Sequence, residues 1–163
     1  MSYKNCESTL LSPLIERAKS FLTEDIGIEV LEESNDQKCD NSILSFAYTS
    51  MIPLSGGVDG LFLMSFERTL LEEVTDRFVY GGVDESEKDE IISSLSDEVT
   101  NIILGNVLGS LIVDGFETET KPPVKVIDID EVLSISKKET ISLNINSTYG
   151  KMLVVISADN VTY

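Results

Sequence analysis

Residues 94–111 read SLSDEVTNIILGNVLGSL, and the spacing of their apolar side chains predicts a long amphipathic helix. The side chains expected to pack on a core are Leu95, Val99, Ile102, Ile103 and Val107. A stripe about a quarter turn away carries no bulky apolar side chain and consists of Ser94, Glu98, Asn101, Gly105 and Gly109. A glycine inside a helix costs about 1 kcal/mol relative to alanine, so some other interaction should compensate for this stripe.

Two explanations of the stripe are open from the sequence. Another helix could pack closely over Gly105 and Gly109, with Glu98 and Asn101 merely solvated. Alternatively, the stripe is a smooth ridge that a second protein approaches, and the carboxylate and the amide are presented to that protein. Because residues three positions apart on a helix have Cβ atoms roughly 5–6 Å apart, Glu98 and Asn101 share one face in either case.

Two further helices are predicted before this one. The first has Ser12 as its N-cap and Pro13 in its first turn, and it ends near Gly27. The second is RTLLEEVTDRFVYGG, residues 68–82, whose apolar spacing is helical and which stops at its glycine pair.

Strand patterns fill most of the remaining sequence. Residues 28–34 and 43–54 are β-rich, and the glycine turn SGGVDG, residues 55–60, leads from the second of them into a short apolar strand. The segment KPPVKV, residues 121–126, should be extended, because prolines exclude helix and suit the edge of a sheet. Residues 140–157 alternate on both sides of a glycine-containing turn, as a hairpin does. The predicted fold is therefore a single α+β domain over residues 1–163, an antiparallel β-sheet with two long α-helices packed on one face.

Composition supports one compact domain and excludes several classes of function. A chain of 163 residues with 42% apolar residues can form a core without disulfides or metals. The formal net charge of -17, from 29 acidic and 12 basic residues, disfavours nucleic acid and anionic membranes as partners. Histidine is absent, which removes Ser-His and Cys-His nucleophiles, H-E-x-x-H metal sites and imidazole acid–base catalysis. An enzyme of this composition would work with carboxylates, amides or hydroxyls.

Cysteine usage and hydropathy point to a cytoplasmic protein without a metal or cofactor of its own. Cys6 and Cys39 stand alone, without a C-x-x-C motif or further thiols for a disulfide framework or a zinc site. The N-terminus lacks the apolar core of a signal peptide, and apolar runs such as MLVVI, residues 152–156, are far too short to span a bilayer. The acidic IDIDE, residues 127–131, lacks the glycine and distal glutamate of a calcium loop. We interpret its acids as alternating on the outer face of a strand.

The spacing of polar residues in the long helix resembles the signature of a known family. That signature is an aspartate or serine, three residues, a glutamate, two residues, an asparagine and a more distant proline, and it belongs to the CheC/CheX/FliY family of chemotaxis phosphatases. In this chain Ser94, Glu98 and Asn101 occupy the helical positions, and Pro122 or Pro123 is the distal proline.

The resemblance extends over most of the chain. It includes NIILGN at residues 101–106, which continues the family motif, LLSPLIERAKSFL at 10–22, and IPLSGGVDGLFLMSF at 52–66. Two-site members carry a second Glu/Asn motif in their first half, where this chain has EVTD, residues 73–76, with aspartate in place of asparagine. The single site points to the CheX type. One departure is PPVKVID, residues 122–128, which lacks the glycine expected soon after the prolines.

This resemblance implies a phosphatase that dephosphorylates a phosphorylated CheY-type receiver domain of a response regulator. Asn101 would orient the attacking water and Glu98 would dock on a lysine of the receiver, whereas Ser94, Gly105 and Pro123 would take part in partner binding. Mg2+ is expected on the receiver. The alternative is a non-catalytic module that binds a receiver or a flagellar switch protein through the same helix. The family also implies a homodimer joined through strands, since short β segments leave edges that proteins tend to cover or pair.

Overall fold

A computed structural model describes residues 10–31, 45–79, 82–112, 118–136 and 139–158 of the chain. The helices are α1 (Ser12–Ser20, prolonged by a π-helical segment, Phe21–Ile26), α2 (Arg68–Phe78), α3 (Lys88–Ile112) and α4 (Ile129–Ser136). The strands are β1 (Tyr48–Gly56), β2 (Gly60–Phe66), β3 (Thr118–Thr120), β4 (Val124–Lys125), β5 (Glu139–Ser147) and β6 (Gly150–Ala158). Cys6 and Cys39 lie outside the described residues.

The strands form one antiparallel sheet in the order β3-β1-β2-β6-β5. β4 also pairs with β1, on the same edge as β3, so two short strands share one side of β1. Lys121, Pro122 and Pro123 separate these two strands. Because proline has no N–H to donate to a ladder, such a break is tolerated at the edge of a sheet. The predicted edge position of residues 121–126 and the hairpin over residues 140–157 are confirmed.

One face of the sheet carries the main core. Ile52, Phe62 and Ile156 lie side by side across β1, β2 and β6 and point to this face. Helices α1, α2 and α3 cover them, and the buried helical side chains include Leu14, Leu22, Leu70, Val74, Val99 and Ile103. The predicted α+β class, with an antiparallel sheet and long helices on one face, is confirmed.

The opposite face of the sheet carries a helix that the sequence analysis did not predict. A second, smaller core forms there from Leu63, Ile129, Leu133, Leu153 and Val155. Two of these side chains, Ile129 and Leu133, belong to α4. Helix α4 therefore covers the face of the sheet opposite α1, α2 and α3.

The acidic segment 127–131 runs into α4, which begins at Ile129, and does not form a strand, so the interpretation of its acids as alternating on a strand is wrong. Asp128 Oδ1 accepts hydrogen bonds from the backbone N–H groups of Asp130 and Glu131, at 3.1 and 3.3 Å. A carboxylate that binds the free N–H groups of a first turn stabilises the start of a helix. One acidic residue of this segment is therefore a helix cap.

Several element boundaries also differ from the predictions. Helical conformation is already present at Leu10 and Leu11, so Ser12 is not an N-cap. Helix α2 ends at Phe78, before its glycine pair, of which Gly81 lies outside the described residues. Within residues 28–31, the described part of the first predicted strand, only Val30 forms a β-bridge.

The turn between β1 and β2 depends on glycine in two ways. Gly56 has a φ of 93°, in the left-handed region that favours glycine. A Cβ on Gly60 would lie 2.2 Å from the carbonyl oxygen of Ser157, so only glycine allows β2 to approach β6 this closely.

Candidate functional site

Helix α3 packs on β1 and β2 and also contacts α1 and α2. Its buried apolar side chains are Ile92, Val99, Ile103, Leu104, Val107 and Leu108. The stripe that the sequence placed apart from the core is exposed along its whole length, at Ser94, Glu98, Asn101, Gly105 and Gly109. Asp89 and Glu90 lie in the first turn of α3, where the helix dipole favours carboxylates.

Glu98 and Asn101 present a carboxylate and an amide to solvent near the middle of α3. Neither side chain makes a hydrogen bond or an ion pair with the described part of the chain. Their functional groups are therefore available to an external partner.

The exposed glycines of α3 are not explained by close packing within the described residues. A Cβ added to Gly105 or to Gly109 would meet no atom of the described residues within 4 Å. The first explanation of the stripe, a helix packed over these glycines, is therefore excluded for the described chain. The exposed stripe on α3 is therefore smooth at Gly105 and Gly109, and it also carries Glu98 and Asn101.

A polar network that the sequence analysis missed lies on the side of α3 that faces β1 and β4. Asp97 Oδ1 accepts a 2.5 Å hydrogen bond from Ser50 Oγ and lies 3.0 Å from Lys125 Nζ. Lys125 Nζ also donates to Ser96 Oγ, at 2.6 Å, and to the carbonyl oxygen of Ser93. The network ties one turn of α3 to two strands of the sheet.

Pro123 lies half-buried in the link between β3 and β4, two residues before Lys125. Pairing of β4 with Ser50 and Met51 fixes the end of this link on β1. Through Lys125 the same end is held against α3. The structure thus brings the proline segment to the sheet edge beside the turn that precedes Glu98.

The EVTD segment on α2 has a structural role. Glu73 forms an ion pair with Arg77, at 2.8 Å, and this hydrogen bond raises the pKa of the guanidinium above its usual value. The guanidinium of Arg77 also donates to the carbonyl oxygens of Ile26 and Gly27 at the end of α1. Glu73 therefore helps to hold α1 against α2, and the segment does not resemble the exposed pair on α3.

Acidic side chains of the described residues do not gather into a group of three or more that could hold a metal ion. None of the described helices combines the length and the apolar character that crossing a bilayer requires.

The chain matches the family model of chemotaxis phosphatase CheX over residues 48–146. The matched region covers more than half of the chain and contains all of α3. The chain belongs to the CheX family. This assignment confirms the resemblance that the spacing of Ser94, Glu98 and Asn101 indicated. No curated protein sequence shows significant similarity to the chain.

Solved structures of CheX-like proteins share the fold. A CheC-like superfamily protein from Shewanella sp. PV-4 gives a TM-score of 0.72 at 21% identity, covering 91% of this chain and 96% of that one. A chain of the CheX-CheY-BeF3-Mg2+ complex from Borrelia burgdorferi gives a TM-score of 0.70 at 22% identity, and the match covers 91% of this chain and 96% of that one. The chemotaxis protein CheX from Desulfovibrio desulfuricans gives a TM-score of 0.70 at 16% identity, and the match covers 91% of this chain and 97% of that one. At these identities the comparison establishes the CheX-like fold.

Proposed function

We propose that this CheX-family protein dephosphorylates the phosphorylated receiver domain of a CheY-type response regulator in the cytoplasm. The observation that carries the proposal is the exposed Glu98 and Asn101 pair on α3, which has no partner within the described chain. The Borrelia burgdorferi structure, in which a similar chain is held in a complex with CheY, BeF3 and Mg2+, supports a CheY-type substrate.

The reaction is the hydrolysis of an acyl phosphate. Water attacks phosphorus in line, the bond from phosphorus to the aspartyl oxygen breaks, and inorganic phosphate and a free carboxylate are released. Catalysis of such a transfer depends mainly on positioning and on charge compensation. The receiver brings the phosphoryl group, its Mg2+ and a lysine, so the phosphatase needs only to orient the water. No general base is required, and a chain without histidine suffices.

Asn101 is the residue assigned to the water. A carboxamide both donates and accepts hydrogen bonds, so one atom can hold the water while the other is held by the receiver. Its exposed position in the middle of a 25-residue helix allows the side chain to enter a partner's active site.

Glu98 is assigned to docking. Its carboxylate would pair with the receiver lysine, and partial desolvation at the interface would strengthen this charge-assisted hydrogen bond. Gly105 keeps the ridge low on the same side of α3, and Ser94 and Pro123 would border the docking surface. In these terms Glu98 orients the helix and Asn101 acts on the reacting water.

Replacement of Asn101 by alanine tests the catalytic role. Asn101→Ala should leave receiver affinity nearly unchanged and remove most of the acceleration of dephosphorylation, by about 2–4 kcal/mol if one preorganised polar group is lost. Affinity is measured by titration with a beryllofluoride-activated receiver, and turnover by phosphate release from the phosphorylated receiver.

Asn106→Ala is the matched control for this variant. It removes the same amide from the same helix, but the Asn106 amide donates to the carbonyl oxygen of Ile102 at 2.7 Å, so phosphate release should fall far less than in Asn101→Ala. Phosphate release by Asn101→Ala equal to that of the wild type would reject the catalytic role. If the wild-type protein bound the activated receiver without accelerating its decay, the non-catalytic binding module would be the correct function.

Replacement of Glu98 tests docking. Glu98→Ala should weaken binding of the activated receiver, and Glu98→Lys should weaken it further because two cations would then face each other. Glu90→Lys makes the same change of net charge in the exposed first turn of α3 and should have little effect. Equal losses for Glu90→Lys and Glu98→Lys would show that the effect is one of overall charge and not of a specific contact.

A further inference from the structure

We propose that Ser50, Asp97 and Lys125 form a polar clamp that sets the rotation of α3 about its axis and so positions Glu98 and Asn101. The inference rests on the proposed phosphatase function and assigns positioning residues to the same site. The clamp acts through α3, and its members make no contact with the phosphoryl group.

The clamp lies where a helix packed on a sheet usually has apolar side chains. Ser50, Ser96 and Thr100 are all fully buried between α3 and its surroundings, whereas Ile103 and Val107 occupy the buried side of the following turns. Buried hydroxyls add little hydrophobic stabilisation, but they restrict a structure to arrangements in which each polar group finds a partner. The hydroxyls of Ser96 and Thr100 donate to carbonyl oxygens within α3 itself. Ser50 instead donates from β1 to Asp97, so this buried hydroxyl ties the helix to the sheet.

Two neighbouring strands hold this one turn of α3. Ser50 of β1 and Lys125 of β4 are partners in the sheet register, and both reach the same oxygen of Asp97, at 2.5 and 3.0 Å. Lys125 adds a 2.6 Å hydrogen bond to Ser96 Oγ and a further one to a backbone carbonyl. Apolar contacts would allow the helix to roll slightly, because they have no preferred direction. Hydrogen bonds weaken steeply when they are bent, so the clamp opposes such a roll.

The clamped turn controls the candidate catalytic groups directly. Asp97 precedes Glu98, and Asn101 lies four residues after Asp97, so Asp97 and Asn101 are neighbours on the helix surface. Side chains end about 5–6 Å from a helix axis, so a roll of about 10° moves them by about 1 Å. A displacement of about 1 Å can lower a rate on the order of a hundredfold when catalysis depends on positioning.

Because the ion pair between Lys125 and Asp97 is partly exposed, its effect on the position of α3 can be measured separately from its effect on folding stability. The side chains of Lys125 and Asp97 are 40% and 31% exposed. Ion pairs with such access to water contribute little to stability. Loss of the lysine should therefore appear in turnover more than in the melting temperature.

The test combines Lys125→Met with Asn101→Ala in a double-mutant cycle, with kcat and KM measured on a phosphorylated CheY-type receiver. Lys125→Met alone should lower kcat by about tenfold or more and change the melting temperature little. In the Asn101→Ala background it should have no further effect on kcat, because the group that it positions is absent. Lys125→Arg keeps the charge and the donors and should retain most of the activity. Lys121→Met, on the same sheet edge, removes a lysine that makes no ion pair with the described residues and should match the wild type.

Two results would overturn the clamp. One is a Lys125→Met variant with wild-type kcat, and the other is an equal loss of kcat with and without Asn101. If Lys125→Met does not fold, Ser50→Ala, which removes only a hydroxyl, goes through the same cycle with the same criteria.

Failure of the proposed function would be distinguishable from failure of the clamp. A wild-type protein that does not accelerate dephosphorylation would reject the phosphatase function. The clamp is then decided by the NMR resonances of the Asn101 side-chain amide, which should shift in Lys125→Met and stay in place in Lys121→Met. Unchanged resonances in Lys125→Met would overturn it.

Discussion

Two exposed glycines weaken the helix that carries the candidate site. Gly105→Ala should stabilise the protein by about 0.5–1 kcal/mol, because alanine is the better helix former and its Cβ would meet no atom of the described residues within 4 Å. The same methyl group should lower receiver affinity if α3 approaches its partner along the ridge. Urea unfolding measures the stability, and titration with an activated receiver measures the affinity. A stability gain with unchanged affinity and phosphate release would contradict the ridge.

Residues of the site differ in how far the sequence could identify them. The spacing of Glu98 and Asn101 on a long helix is a local pattern, and their exposure is what that pattern predicted. Lys125 and Asp97 were missed because their contact joins two elements far apart in sequence. No periodicity within one element reports such a pair, so only the folded chain reveals the clamp.

At the scale of elements, the sequence pattern was sufficient to predict helix α3 but not helix α4. In α3, Leu95, Val99, Ile103 and Val107 recur every four residues over more than three turns, and this spacing and length exclude a strand. Helix α4 has eight residues, and IDIDE at its start alternates as a strand would. The outcome was decided by the Asp128 cap and by the apolar side chains of Leu63 and Leu153 on the facing sheet, which are tertiary features.

Helix α4 should contribute substantially to stability despite its short length. Leu133→Ala should destabilise the protein by about 2–5 kcal/mol, because it removes a buried side chain from the second core. Ile127→Ala is the control, since Ile127 is fully exposed just before α4 and its truncation should change stability by less than about 0.5 kcal/mol. Urea unfolding midpoints compare the two. Equal effects would mean that α4 does not pack on the sheet in solution.

At the scale of the whole molecule, the net charge of -17 should slow the encounter with a receiver whose own site is acidic. Raising the ionic strength from about 0.01 M to 0.15 M shortens the screening length from about 30 Å to 8 Å. The association rate constant, measured by stopped-flow mixing, should therefore increase with salt. A decrease would indicate that local attraction at Glu98 outweighs the long-range repulsion.

Pairing of sheet edges predicts the oligomeric state. We expect a homodimer formed through strands. Among the described residues outside the sheet, Val30 and Leu31 pair with β5 near Ser147, so β5 offers the longer edge. Light scattering coupled to size-exclusion chromatography should give twice the 17.9 kDa mass of the chain. A monomeric mass at working concentrations would contradict this prediction.

The sheet edge formed by β3 and β4 beside β1 is interrupted, and this limits how far chains could associate through their strands. Strands β3 and β4 have only three and two residues, and two prolines lie between them, so a second chain finds no continuous row of N–H donors there. Cross-β growth needs an unbroken segment of about six or seven residues without proline. If β5 is the longer edge left unpaired by the described residues, association by strands would close on itself in a two-fold pair. We therefore expect the two prolines to favour dimers over open-ended fibrils in a concentrated solution of the protein.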